Sequence, residues 1–173
     1  MIEKRIPDDK IIELLTKEIK EFGLEFARTK PRSDVNLSVF NMLKDKIPKY
    51  DIKPAMFGRG TYDMERKDSD NIKQVIEHMN ASYCTNTLYY SYGSSLNWHT
   101  NSDVPGMRTY ILYTTKPGIF RYKDPETGEI VDDEDYVGWT QRTFKVDQEK
   151  LLWHCVYSPA PRFAYGFNHA FGV

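Results

Sequence analysis

Cysteine is scarce: Cys84 and Cys155 are the two in 173 residues. They form no Cys-x-x-Cys pair and no Cys/His zinc spacing, which excludes a disulfide framework and a zinc-ribbon fold. Two buried thiols in a reducing cytosol are the expectation. An excess of one charge is also lacking. The formal net charge is −1, so the chain has no broad basic field for nucleic acid or an acidic membrane surface. No apolar run approaches the roughly 20 residues that span a bilayer. The start, Met1-Ile2-Glu3-Lys4-Arg5, lacks the apolar core of a signal peptide. The sequence therefore predicts a cytoplasmic protein with no membrane partner, and it leaves the oligomeric state open. Strands and helices do not alternate in βαβ order, which argues against a nucleotide-binding α/β fold. Gly58-Arg59-Gly60 lacks the lysine and the following helix of a phosphate loop. Pro54 to Asp63, which contains it, reads as a turn with an exposed arginine.

What is present is apolar and aromatic content, 40% and 14%. That suffices for a packed core and argues against disorder. The length fits one domain, 1–173, with helical support over 1–81 and a β core over 82–173.

In the first part, Asp8-Asp9 precedes Ile11, Ile12, Leu14, Leu15, Ile19 and Phe22, an apolar stripe at the helical period. The acidic pair suits a helix N-terminus, and Gly23 is a natural end or kink. Residues 29–34 read as a loop. A short helical segment from Asn36 to Lys46 stops before Pro48. Asp68-Ser69-Asp70 caps a second amphipathic helix carrying Ile72, Val75, Ile76 and Met79. His78, on or near that helix, reads as a surface or satisfied histidine.

From Ser82 the period changes to two. Strands are expected near Tyr83–Tyr92, Trp98–Asn101, Arg108–Thr115, Gly118–Tyr122, Glu129–Val131, Tyr136–Val146, Leu151–Tyr157 and Arg162–Asn168. Pro125-Glu126-Thr127-Gly128 is a hairpin turn signal. Two helices followed by about eight short strands fit an α+β, mainly β fold. It is a jelly-roll-like barrel with N-terminal helices packed on one sheet.

The chemistry-bearing stretch is Leu88-Tyr89-Tyr90-Ser91-Tyr92-Gly93-Ser94-Ser95-Leu96-Asn97-Trp98-His99-Thr100-Asn101. In an extended strand His99 and Asn101 would face one side. Far downstream come His154, in Trp153-His154-Cys155, and then Arg162. By alternation Trp98 and Trp153 face away from the histidines and pack into the sheet layer.

This order, His-x-Asx, a distal His, then a basic residue, resembles the iron(II)- and 2-oxoglutarate-dependent oxygenases. The resemblance covers roughly Tyr83 to Phe171 and implies a double-stranded β-helix. It also implies Fe(II) held by His99, His154 and a third ligand, with 2-oxoglutarate held by Arg162. A guanidinium matches a carboxylate with two parallel hydrogen bonds. Tyr90, which heads a Tyr-x-x-Gly, and Tyr113 are candidate pocket residues for the co-substrate. Only one of Tyr89 and Tyr90 can face the cavity.

The family carries a carboxylate where this sequence has Asn101. Three readings stand open. Asn101 is the third ligand of a weaker site, Asp103 replaces it, or the fold survives without iron chemistry. By analogy with small hydroxylases the substrate is a protein or peptide side chain. A nucleic-acid base is the rival substrate, disfavoured by the charge balance. A binding or structural module with the same fold is the rival from another class.

Overall fold

The computed structural model describes residues 2–50 and 58–169. Residues 54–57 of the expected turn and the end of the family-like stretch at Phe171 lie outside them.

The N-terminal helix forms where the stripe places it. The Asp8 carboxylate accepts from the Ile11 backbone N–H at 2.9 Å and caps α1, Asp9–Glu18. Its apolar face buries Ile11, Leu14 and Leu15, and each such side chain contributes roughly 1.5–3 kcal/mol. Gly23 does not end this helix. A π-helical turn, Ile19–Gly23, carries it into α2, Leu24–Arg28. Gly23 is used for close approach instead: a Cβ there would come 3.0 Å from the Phe163 ring. Helix α3, Leu37–Met42, is capped by Asn36, and α4, Asp70–Met79, by Ser69. Helix α4 ends at Asn80 with φ +54, the left-handed stop that asparagine tolerates. His78 is exposed at the end of α4 and meets the Asp8 carboxylate at 3.0 Å.

All eight expected strands form. They are β3 (Tyr83–Tyr90), β4 (Ser94–His99), β5 (Gly106–Thr114), β6 (Ile119–Lys123), β7 (Ile130–Glu134), β8 (Gly138–Val146), β9 (His154–Ser158) and β10 (Arg162–His169). Two further strands, β1 (Glu3–Arg5) and β2 (Thr61–Asp63), come from the part expected to be helical. At three residues each they are too short to show alternation. The strands make two antiparallel sheets, a major one in the order β1-β8-β5-β10-β3-β2 and a minor one in the order β4-β9-β6-β7.

Alternation along the strands sorts the side chains into three layers. Tyr89, Ile111, Phe163, Tyr165 and Phe167 pack outward from the major sheet against α1 and α4. Leu88, Tyr90, Leu112, Phe144 and Ala164 point inward and meet Leu96, Phe120 and Val156 of the minor sheet. Phe40, Trp98, Cys155 and Tyr157 form a third cluster on the outer face of the minor sheet, under α3. Both cysteines are buried thiols.

Candidate functional site

Strand β3 is turned into β4 at Gly93, whose φ is +63. A Cβ there would stand 2.5 Å from the Val35 carbonyl oxygen, so the turn needs glycine for conformation and for space. Strand β4 then pairs with β9 as Leu96↔Val156 and His99↔His154, with a register shift between the two pairs. Three steps on β4 therefore answer two on β9, a β-bulge. Simple alternation from Leu96 would turn His99 outward. The bulge restores it to the inner face with Leu96 and leaves Trp98 outside, where its indole N–H donates to the Leu43 carbonyl at 3.0 Å.

The two imidazoles meet, with ring centroids 4.2 Å apart. His99 Nδ1 lies 2.6 Å from the Asn97 carbonyl oxygen, and His154 Nδ1 lies 2.9 Å from that of Leu152. A carbonyl only accepts, so each Nδ1 carries the hydrogen, and in the neutral form of either ring the lone pair is on Nε2. His154 is packed between aromatic rings: Phe120 stacks at 5.2 Å and Phe144 meets it edge-on at 5.6 Å. Burial, with His99 and Arg108 adding to it, pushes the His154 pKa well below the usual value. The ring is neutral at pH 7, the state that binds a metal.

Asn101 reaches the same place by another route than expected. It is not in an extended strand but has φ +59. Its amide nitrogen donates to the Tyr110 hydroxyl at 3.2 Å and sits 3.4 Å from His154 Nε2. Arg108, buried, donates to the same hydroxyl at 3.2 Å. Asp103 is exposed on the turn that follows. Among the described residues no three His, Cys, Asp or Glu side chains stand close enough to hold a metal ion. Asp103 therefore does not complete a set with the two histidines.

Arg162 lies in the inter-sheet layer, 3% exposed, with its guanidinium 4.7 Å from the Tyr90 ring centre. Burial lifts the Tyr90 hydroxyl to about 12, so it stays protonated. Arg162 Nε donates to Asp135 Oδ2 at 3.0 Å, and Arg142 Nη1 donates to Asp135 Oδ1 at 2.6 Å. Burial alone would raise the Asp135 pKa, but the two guanidiniums outweigh it and hold it low. Arg142, Asp135, Tyr110 and Arg108 were not singled out from the sequence. Arg142 had a visible signal: on β8 it shares the inward parity of Phe144 and Val146. Asp135 had none, because it lies in the turn between β7 and β8. Tyr113 is placed elsewhere. Its ring meets that of Trp139 at a tilt, 5.2 Å between centroids, in the helix-side layer, one residue out of phase with the inward Leu112.

Tyr90, His99, Tyr110, Phe120, Arg142, His154 and Arg162 line one cavity of about 30 Å³. That is room for about one water. Roomier grooves of about 560 and 610 Å³ lie elsewhere, the first against Phe40, Trp98 and Cys155 on the outer face of the minor sheet. Size alone would favour them. The convergent imidazoles and guanidiniums are in the smaller space, and chemistry follows those groups.

No protein-family model matches the chain, and no curated protein matches it in sequence. Among solved structures it is similar to a prolyl-4-hydroxylase from Pseudomonas putida, with a TM-score of 0.55 and 14% identity. The match covers 97% of this chain and 92% of that one. The fold is a double-stranded β-helix. Within it, the outward-facing tyrosine layer carries the helices, and the inward layer carries the histidines and Arg162.

Two imidazoles with ring centroids 4.2 Å apart, each with Nδ1 on a backbone carbonyl, are the nitrogen ligands that suit a first-row divalent ion such as Fe(II). With Asn101 as a third group, the set would be His, His and a neutral amide, one negative charge short of two histidines and a carboxylate. Arg162 is chemically matched to a carboxylate. A five-carbon diacid would need the walls of the 30 Å³ cavity to move apart.

Proposed function

We propose that the chain is an Fe(II)- and 2-oxoglutarate-dependent oxygenase that hydroxylates a C–H bond of a protein or peptide. The observation that carries this reading is the facing pair His99 and His154, with Arg162 in the same inter-sheet layer. His99 and His154 would hold the metal through Nε2, and Asn101, whose amide nitrogen stands 3.4 Å from His154 Nε2, would turn its amide over to offer the oxygen as the third donor. Arg162 would grip the far carboxylate of the co-substrate, and the protonated Tyr90 hydroxyl stands beside it. The backbone carbonyls of Asn97 and Leu152 fix both rings in the metal-binding tautomer. Leu88, Leu96, Leu112 and Val156 keep water out. When bound, the metal and co-substrate supply the oxidising chemistry, and the chain supplies position and a dry cavity. The likeness to a prolyl-4-hydroxylase supports a protein or peptide substrate.

A second reading has its own support. The neutral Asn101 and the small cavity fit a metal-binding or structural module that has lost turnover. Anaerobic titration with Fe(II) and 2-oxoglutarate separates the two. The oxygenase reading expects a weak visible charge-transfer band that vanishes in His99→Ala and in His154→Ala. Folded wild-type protein with no band supports the module and overturns the oxygenase.

A further inference from the structure

Asp135 is an unusual thing to find beside a carboxylate anchor. Its side chain is 0% exposed, and it takes one hydrogen bond from each of two arginines that are themselves 1% and 3% exposed. The seat is built. The Gly118 backbone N–H donates to Asp135 Oδ2 at 3.2 Å, and a Cβ on Gly118 would come 2.7 Å from that same oxygen. The chain gives up a side chain at 118 to place an anion inside an anion-binding site.

The charges can be counted. Arg142 and Arg162 bring two positive charges and Asp135 one negative. Asp133 accepts from Arg142 Nε at 2.8 Å, but it also pairs with Lys4 at 2.8 Å, both being 26% exposed at the solvent edge. Those two offset each other, and the buried end keeps a single positive charge. In a desolvated site an unmatched charge is strongly unfavourable, so the charge balance selects the ligand.

We infer that Asp135 sets the anion selectivity of the Arg162 site, tuning it to one singly charged carboxylate and against doubly charged phosphate-type groups. Arg142 is the second cation of that site, acting through the shared aspartate. The inference rests on the oxygenase reading, because it takes the anion to be the far end of a 2-oxo diacid.

The test uses the full chain loaded with Zn(II), which permits binding without turnover. Affinities are measured by calorimetry for 2-oxoglutarate and for 2-oxo-4-phosphonobutanoate, which carries a phosphonate in place of the far carboxylate. Wild type is expected to prefer 2-oxoglutarate by roughly tenfold or more. Asp135→Asn raises the balance to two positive charges and is expected to abolish or invert that preference. Arg142→Gln lowers it to zero and is expected to weaken 2-oxoglutarate roughly tenfold. If Asp135→Asn does not fold, the double variant with Arg142→Gln restores the single charge and is expected to regain the preference for the carboxylate. Unchanged preference in Asp135→Asn, unchanged affinity in Arg142→Gln, or a double variant without the preference overturns the inference alone. A wild type that binds neither compound removes the diacid reading, and this inference with it.

Discussion

His99 and His154 face each other as paired residues of β4 and β9, with ring centroids 4.2 Å apart. They are 55 positions apart in the chain. What brings them to one face is an irregularity: the extra residue between Leu96 and His99 reverses the parity of the strand. Each ring is then fixed by the carbonyl two residues before it.

Asn101→Asp is expected to raise Fe(II) or Zn(II) affinity by roughly tenfold or more, since it adds one negative charge to the ligand set. Aspartate tolerates the φ of +59 at this position, so the backbone should not object. Anaerobic metal titration of both proteins measures the difference. Equal affinities would mean that residue 101 takes no part in metal binding.

Gly93→Ala should destabilise the fold by about 2–4 kcal/mol, from a left-handed φ and a backbone clash together. The clash is with the Val35 carbonyl oxygen, 2.5 Å from the added Cβ. Denaturant unfolding reads the loss. A change near zero would show that the turn is looser than described.

Arg121→Met should loosen α3. The Arg121 side chain is 1% exposed and binds Asp132 twice, the Phe40 carbonyl and the Asn41 side chain. It is the main polar tie between β6 and α3. A loss of about 3 kcal/mol is expected, because Asp132 is left only partly able to reach water. Faster proteolysis within residues 37–42, with the β core intact, is the specific readout.

Acid should unfold the protein partly through Glu18. Burial alone would raise its pKa, but Arg66, Asn71 and Ser69 bond to the carboxylate and hold it below the ordinary 4.5. A lowered folded pKa stabilises above the unfolded value, and that stability is lost as pH falls through the folded one. Asp135 acts in the same direction. Stability should therefore decline as pH falls below about 4.5, and Glu18→Gln should flatten the decline while costing about 1–3 kcal/mol at pH 7. An identical acid limb in the variant would mean that Glu18 carries none of it.

Local patterns in the sequence determined the two amphipathic helices, one with its acidic start at Asp8-Asp9 and one with its cap in Asp68-Ser69-Asp70, and all eight strands of the β core. Helix and strand periods are set by residues a few positions apart, so they can be read without knowing the fold. The order of His99, His154 and Arg162 was legible for the same reason. Tertiary structure decided the rest. Whether His99 faces inward depends on a bulge that exists only against β9. Tyr113 misses the cavity because register places Leu112 inward instead. The Asp135 bridge joins a turn to two strands, and no spacing in one chain marks such a meeting. Residues brought together only by sheet pairing leave no periodic trace, and the acid side chain between Arg142 and Arg162 is one of them.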